Sequence, residues 1–321
     1  MLSIGILSTA SIVPRFIAAA RDTDCCRVTA IASRKLETAQ QTAEQFGIET
    51  VYGSYEALVD DPGIDAVYIA TISSEHAFWA KRALEAGKHV LCEKPFALDP
   101  QQAEEIFGLA RQKNLFVMEM QKAVFLPVME ELKKRIRNGE LGGIRMAEFS
   151  SSFSSGYNAW FTDLSKGGDP WFSNAGYTVA LLQYLFDCRV TRAEGSCTRS
   201  GGTAENQFSV TFSMENGLLA MCRSSTAVPL PNLAVLYGEK GTVEIPDFWK
   251  ARRAVIRTEG REPEVLEYPC AHELVYEIEH AARCIRGGLT ESPVMTREMT
   301  VGTARILSET SEGWKQAGLI G

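Results

Sequence analysis

Lys94 is placed to do chemistry by its neighbours: it follows the apolar run His89-Val90-Leu91-Cys92 after Glu93 and precedes Pro95. A helical pattern ending at Gly87 leads into that run, which therefore reads as a buried strand of a parallel sheet. Open α/β sheets bind ligands in the crevice beyond the carboxyl ends of their strands, so Lys94 would emerge where a substrate sits. An ammonium there donates a proton or steadies a developing alkoxide. The plainer reading keeps Lys94 solvated, in a turn forced by Pro95.

Before about residue 119 the chain alternates short apolar runs with amphipathic segments. Ser3–Leu7, Val28–Ala32, Ala66–Ala70, His89–Cys92 and Phe116–Met118 have the length and composition of strands, and 12–21, 35–46, 75–86 and 99–113 carry helical periodicity. This alternation builds a doubly wound parallel sheet with helices on both faces, the Rossmann architecture of an α/β protein. Beyond it the pattern changes. A helix near 126–138, a strand at Ile144–Phe153 and a helix near 175–186 lead to alternating runs at 190–199, 205–214, 217–225, 232–237 and 241–246. Such runs mean a large, mostly antiparallel open sheet with one covered face, in an α+β domain closed by helices near 272–287 and 297–316. Two domains are predicted, residues 1–119 and 120–321.

Composition narrows the function. The 321 residues, 45% hydrophobic and 23% charged, suit a globular chain too long for one ordinary core. A formal net charge of −7 argues against nucleic acid as a partner, because phosphate binding needs a basic face. No apolar run approaches the roughly 18 residues of a membrane span, and MLSIGILSTASIVPRF lacks a basic n-region, so no membrane partner is expected. The eight cysteines (Cys25, Cys26, Cys92, Cys188, Cys197, Cys222, Cys270, Cys284) form no CxxC pair, which predicts free thiols in a reducing cytoplasm. His76, His89, His272 and His280 lie far apart without ligand spacing, so no metal is expected, and no GxSxG elbow supports a serine hydrolase.

The first strand ends in a turn with room for phosphate. Gly5-Ile6-Leu7-Ser8-Thr9-Ala10-Ser11-Ile12-Val13 joins a strand to a helix, with Ser8, Ala10 and Val13 where a dinucleotide fingerprint has its glycines. Small Ser8 and Ala10 still admit close backbone approach, the hydroxyls of Ser8, Thr9 and Ser11 add donors, and Ile12 opens the helix that would face the anion. Taken alone, the same residues make an ordinary strand-to-helix turn equally well. After the second strand the chain reads Ala30-Ile31-Ala32-Ser33-Arg34-Lys35, without the acid that accepts the ribose 2′-hydroxyl of NAD. Ser33 and the paired donors of Arg34 favour a 2′-phosphate, so NADP is the expected cofactor and NAD the alternative. The competing reading is a basic first turn on a helix opened by Ser33.

Glu93-Lys94-Pro95, after a strand and before DPQQAEEIFGLARQ, resembles the EKP signature of the Gfo/Idh/MocA oxidoreductases. YGSYEALVDDPGIDAVYIAT, followed by SSEHAFWAKRALEAGKHVLCEKPFAL, is similar to the stretch leading from their third strand to the active-site lysine. Near the C-terminus, Tyr276-Glu277-Ile278-Glu279-His280 and Gly288-Leu289-Thr290-Glu291-Ser292-Pro293-Val294 make the pattern most similar to the dimeric dihydrodiol dehydrogenase and glucose–fructose oxidoreductase-like branches. The resemblance covers nearly the whole chain. It implies a cofactor site in which Thr71, Ile72, His76, Glu93 and Lys94 join the first turn, with a substrate-binding domain in the C-terminal half. It implies NAD(P)-linked oxidation or reduction of a sugar, polyol or diol, and a homodimer or dimer of dimers through the open face of the C-terminal sheet.

The resemblance also implies a second catalytic position. After Gly167-Gly168, in Asp169-Pro170-Trp171-Phe172-Ser173-Asn174-Ala175-Gly176-Tyr177, Tyr177 matches the family's tyrosine or histidine acid/base. A phenol that ionises near 10 is a poor base at neutral pH, and a nearby Lys94 ammonium would favour its phenolate. Lys94, Lys122, Trp160, Asn174 and Tyr177 would line the substrate. The plainer readings make Tyr177 a core aromatic and Lys122 a solvated side chain. Three departures mark this chain: Ser173 stands where many relatives have aspartate, Phe161 follows Trp160 where a basic residue is frequent, and Lys122 and Val124 replace a tryptophan and an arginine of the dihydrodiol branch. The substrate pocket is thus rebuilt. Two further functions stand beside the oxidoreductase: an enzyme using its nucleotide transiently in elimination or hydrolysis, and a nucleotide-binding sensor without turnover.

Overall fold

A computed structural model describes residues 1–153 and 159–321 and divides the chain into two compact units. The first comprises Met1–Ala97, Gln101–Met120 and Ala271–Arg297; the second comprises Leu98–Pro100, Gln121–Cys270 and Glu298–Gly321. The two stretches expected from the sequence are continuous, whereas these units interleave, the chain returning to the first after Cys270.

In the first unit, β1 (Leu2–Leu7), β2 (Cys26–Ala32), β3 (Thr50–Tyr52), β4 (Ala66–Ile69), β5 (His89–Glu93) and β6 (Val117–Met120) form a wholly parallel sheet ordered β3-β2-β1-β4-β5-β6. The helices are α1 (Val13–Arg21), α2 (Leu36–Phe46), α3 (Tyr55–Val59), α4 (His76–Glu85) and α5 (Pro100–Lys113). Ile4, Ile6, Ile31, Val67, Ile69 and Val90 are all at 0% exposure, as strands covered on both faces require. Strand order reverses between β1 and β4, which opens a crevice at their carboxyl ends. β3 and α3 have no counterpart in the sequence expectations. Thr50-Val51-Tyr52 is too short for periodicity to register, and becomes a strand through its register with Ala30–Ala32 of β2. The returning helix Val275–Arg286 packs on α1, with an Arg15–Glu273 ion pair and His272 Nδ1 2.7 Å from Asp22 beside it.

In the second unit, α6 (Pro127–Arg137) leads to β7 (Ile144–Ser152), and α7 (Gly176–Phe186) is followed by β8 (Val190–Thr198), β9 (Gln207–Met214), β10 (Leu219–Ser225), β11 (Leu233–Gly238), β12 (Gly241–Pro246), β13 (Arg253–Thr258) and β14 (Glu264–Glu267). The strands form one sheet ordered β14-β13-β12-β11-β7-β10-β9-β8, parallel only at β7–β10. Alternation sorts its faces: Ala147, Phe149, Val210, Phe212, Ala220 and Cys222 are buried, whereas Met146, Leu219 and Met221 point outward. α7 is buried from Gly176 to Leu185, the signature of a core helix, and its Thr178 hydroxyl lies 3.3 Å from Cys222 on the sheet's inner face. β13 and β14 extend the sheet beyond the expected runs. Both are short and charge-bearing, which weakens the pattern that would reveal them and suits the edge position of β14.

Candidate active site

The turn after β1 holds a conformation that favours glycine without having one. Ser8 has φ +95°, its N–H donates to Ala32 O at 2.9 Å, and its Oγ accepts from Ala10 N at 3.1 Å. Such backbone strain costs on the order of 1–3 kcal/mol and clusters where a ligand is clamped. Thr9 and Ala10 are half-buried and Ser11 is exposed; α1 then starts with Pro14 in its first turn and no side-chain cap from Ile12. An uncapped helix N-terminus behind a tight turn fits an anionic dinucleotide.

Ser33 closes β2, buried, its N–H donating to Tyr52 O at 3.2 Å. Arg34 is exposed, and the N-cap of α2 is Lys35, so Ser33 does not open that helix. Tyr55 joins them unannounced by any motif. Burial raises its phenol above the ordinary range, while the Arg34 charge and a hydrogen bond with Ser8 oppose that rise. Ser8, Arg34 and Tyr55 thus converge beside β1 and β2.

The Lys94 turn is pinned on several sides. The buried Tyr68 of β4 donates to Glu93 Oε1 at 2.6 Å, and Lys94 N donates to Glu93 Oε2 at 3.3 Å. Tyr68 stacks on Phe16 with ring centroids 3.7 Å apart, and burial, then the charge of Glu93, holds its phenol well above the usual range. Glu93 therefore receives a neutral hydroxyl. His76, at 2% exposure, sets Nδ1 2.8 Å from Pro95 O and Nε2 3.1 Å from Thr71 O. Burial lowers its pKa against the pull of these two carbonyls. The neutral ring has one N–H, best placed on Nδ1 against the nearer carbonyl. His76 thereby ties the start of α4 to the Lys94-Pro95 turn, with Nε2 close to the Thr71 carbonyl at the end of β4; the Lys94–Pro95 peptide is cis and Lys94 is half-buried.

In the second unit, the turn Lys122–Phe125 lies against α7. Lys122, far from solvated, is at 7% exposure and donates from Nζ to the Tyr177 hydroxyl at 2.9 Å. Gln121 reaches the neighbouring Gly176 carbonyl at 3.4 Å. Before α7 runs a π-helical turn, Trp171–Ala175, of a kind frequent at functional sites. Asn174 on that turn donates to Ser224 Oγ at 2.7 Å, which in turn accepts from Ser151 Oγ at 3.1 Å. Trp160, half-exposed, packs edge-on against Phe161, and its carbonyl lies 2.0 Å from where a Cβ on Gly168 would stand. The glycine pair is therefore steric: Gly168 has no room for a side chain, and Gly167 has φ +69°. Within the second unit, Lys122 sets a cation against Tyr177. Ser173 is buried, its N–H 3.4 Å from Asp169 O.

Two buried carboxylates hold the start of the π turn. Asp169 Oδ1 accepts from Phe172 N, and Glu205 Oε1 accepts from Trp171 N. Burial pushes the Glu205 carboxyl up to about 7 from its ordinary 4.5. With the folded-state value raised, the native protein binds more protons than the unfolded chain above pH 4.5, so this stability is full below that pH and declines as pH rises through 7. The loss amounts to roughly 3 kcal/mol at most. Thermal melts of wild type should fall between pH 5 and 8, and those of Glu205→Gln should be flatter; parallel curves would refute the assignment.

Among the described residues no three His, Cys, Asp or Glu side chains are grouped to hold a metal, and no helix is long and apolar enough to cross a membrane. Residues 2–121 match the oxidoreductase family with an NAD-binding Rossmann fold, and residues 129–244 match the GFO/IDH/MocA C-terminal domain. The chain belongs to the Gfo/Idh/MocA family and is an NAD(P)-dependent oxidoreductase. Among its relatives, trans-1,2-dihydrobenzene-1,2-diol dehydrogenase of Mus musculus is 32% identical over 290 residues, covering 88% of this chain and 87% of that one. The Xenopus laevis enzyme of the same name is 30% identical, covering 96% of each. In fold the chain is similar to a 3-ketoreductase of Actinomadura kijaniata, solved with NADP and TDP-benzene, at TM-score 0.87 and 24% identity over 97% of both chains. It is equally similar to an aldose-aldose oxidoreductase of Caulobacter crescentus, at TM-score 0.87 and 23% identity over 98% of both.

Proposed function

We propose that this enzyme interconverts a secondary hydroxyl and a carbonyl of a sugar, polyol or diol, with NADP as its preferred cofactor. The first unit serves as the dinucleotide-binding domain and the second as the substrate domain. The observation that carries this reading is the Lys94 turn, held at the carboxyl end of β5 by Tyr68, Glu93 and His76. The bound nicotinamide supplies or accepts hydride. Lys94 steadies charge on the substrate oxygen and Tyr177 exchanges a proton with it, while Lys122, Trp160 and Asn174 shape the substrate's surroundings. Thr71, Ile72 and Glu93 border the nicotinamide end, and Ser33 with Arg34 receive the 2′-phosphate. The names of the dihydrodiol dehydrogenase relatives support oxidation at a CH–OH carbon.

A panel of sugars, polyols and diols assayed for net NADPH formation, and of the matching carbonyls for its consumption, tests the reading. Net turnover supports it; substrate loss without net nicotinamide change means transient redox chemistry, and a retained nucleotide with neither means a sensor. The eight free cysteines favour a reducing cytoplasm. The outward face of the second unit's sheet suits a homodimer or dimer of dimers: Leu219 lies in register with Met146, Met221 is two residues on, and all three are over 40% exposed. Sedimentation at twice the 35.3 kDa chain mass or more is expected; a monomer at micromolar concentration would sink this assembly.

A further inference from the structure

We propose that Lys122 is a positioning residue for the reaction: its buried ammonium occupies one lone pair of the Tyr177 oxygen, so the phenol's own proton is directed elsewhere, onto the substrate oxygen. This rests on the proposed acid/base role of Tyr177. An ammonium has three donors and no acceptor, so the 2.9 Å contact can only be N–H from Lys122 to the phenol oxygen. The Tyr177 O–H must therefore point away from Lys122. Nζ also lies 5.0 Å from the centroid of the Tyr177 ring, so the charge acts on the oxygen and the ring together. At 7% and 8% exposure, Lys122 and Tyr177 are shielded from solvent, where a charge acts more strongly than in water.

The local build keeps this geometry. Gln121 and Lys122 are adjacent in sequence, as are Gly176 and Tyr177, and the two pairs meet in order, Gln121 with the Gly176 carbonyl and Lys122 with the Tyr177 hydroxyl. Two charged groups on neighbouring elements have further partners. Lys133 of α6 pairs with Asp187 at 2.7 Å and lies over the Tyr184 ring, and Asp169 holds the N–H of Phe172.

In the reducing direction, hydride from NADPH adds to the carbonyl carbon and the carbonyl π electrons move to oxygen. That oxygen takes the Tyr177 proton, leaving a phenolate beside the Lys122 ammonium until solvent reprotonates it after product release. Oxidation runs the same steps backwards, with the phenolate accepting the hydroxyl proton. Lys122 is thus oriented to stabilise the state that exists only once the proton has moved, which acts on kcat rather than on binding.

The test compares Lys122→Met, Lys122→Gln and Lys122→Arg, each alone and with Tyr177→Phe, by steady-state kinetics on the best substrate of the panel. The neutral variants should lose roughly 10- to 100-fold in kcat with KM within about threefold, and Lys122→Arg should recover most of the loss. In the Tyr177→Phe background the neutral variants should cost less than threefold further. A loss confined to KM, a failure of arginine to rescue, or an undiminished loss without the phenol overturns the inference while leaving Tyr177 in its role. Full activity of Tyr177→Phe by itself overturns both. Circular dichroism melts identify any variant that fails to fold, and the remaining neutral variant with Lys122→Arg still decides.

Discussion

Replacing Lys94 with methionine should lower turnover by roughly 10²- to 10⁴-fold, the usual scale of positioned acid–base and electrostatic catalysis. Nucleotide affinity should stay within about tenfold. Methionine keeps much of the apolar stem but removes the charge, so the result reports the ammonium rather than the packing. Glu93 is held by Tyr68 and Pro95 by His76 through contacts that do not use the Lys94 side chain. Tyr177→Phe should show a loss of similar size, and the double variant should lose far less than the product of the two, because residues that act on one oxygen act as a unit. Steady-state kinetics with nucleotide titration on the same preparations decides the matter. Unchanged turnover in Lys94→Met ends the catalytic assignment.

Replacing Arg34 with alanine should weaken NADPH by roughly 10- to 150-fold, the equivalent of the 1.5–3 kcal/mol carried by a charge-assisted contact. NADH, without the 2′-phosphate, should lose much less. Arg34 is exposed, so rising salt should narrow the wild-type preference for NADPH by screening. Fluorescence titration of both nucleotides into wild type and variant separates the effects. Equal losses, or a wild type that prefers NADH, mean that Arg34 does not read the phosphate.

Much of the molecule could be read from the chain alone, because its main signals are local. Alternating apolar runs and amphipathic segments define a parallel sheet, since helices on both faces demand continuous apolar strands, and β1, β2, β4, β5 and β6 lie where those runs fall. The period-two runs after residue 190 define an open sheet for the same reason, one face being covered and the other not. The position of Lys94 just beyond β5 was legible because the apolar run before it defines the strand, and membership of the Gfo/Idh/MocA family agrees with the motif around it.

Tertiary structure decided what depends on distant partners. β3 is a strand only because β2 pairs with it, and the segment Ala271–Arg297 returns to the first unit through packing that no local pattern encodes. Ser8 looked like a weak substitute for glycine, yet it takes the φ +95° conformation because its own Oγ and the Ala32 carbonyl hold the turn in place. Tyr55 and Tyr68 lie in a stretch that resembles the family, yet no role could be read for either from the sequence, and they acquire one by proximity to Ser8 and Glu93. Lys122 is the clearest case. A lone lysine in sequence is by default solvated, because burying an ammonium is costly, and only the fold could bury it beside a phenol 55 residues away.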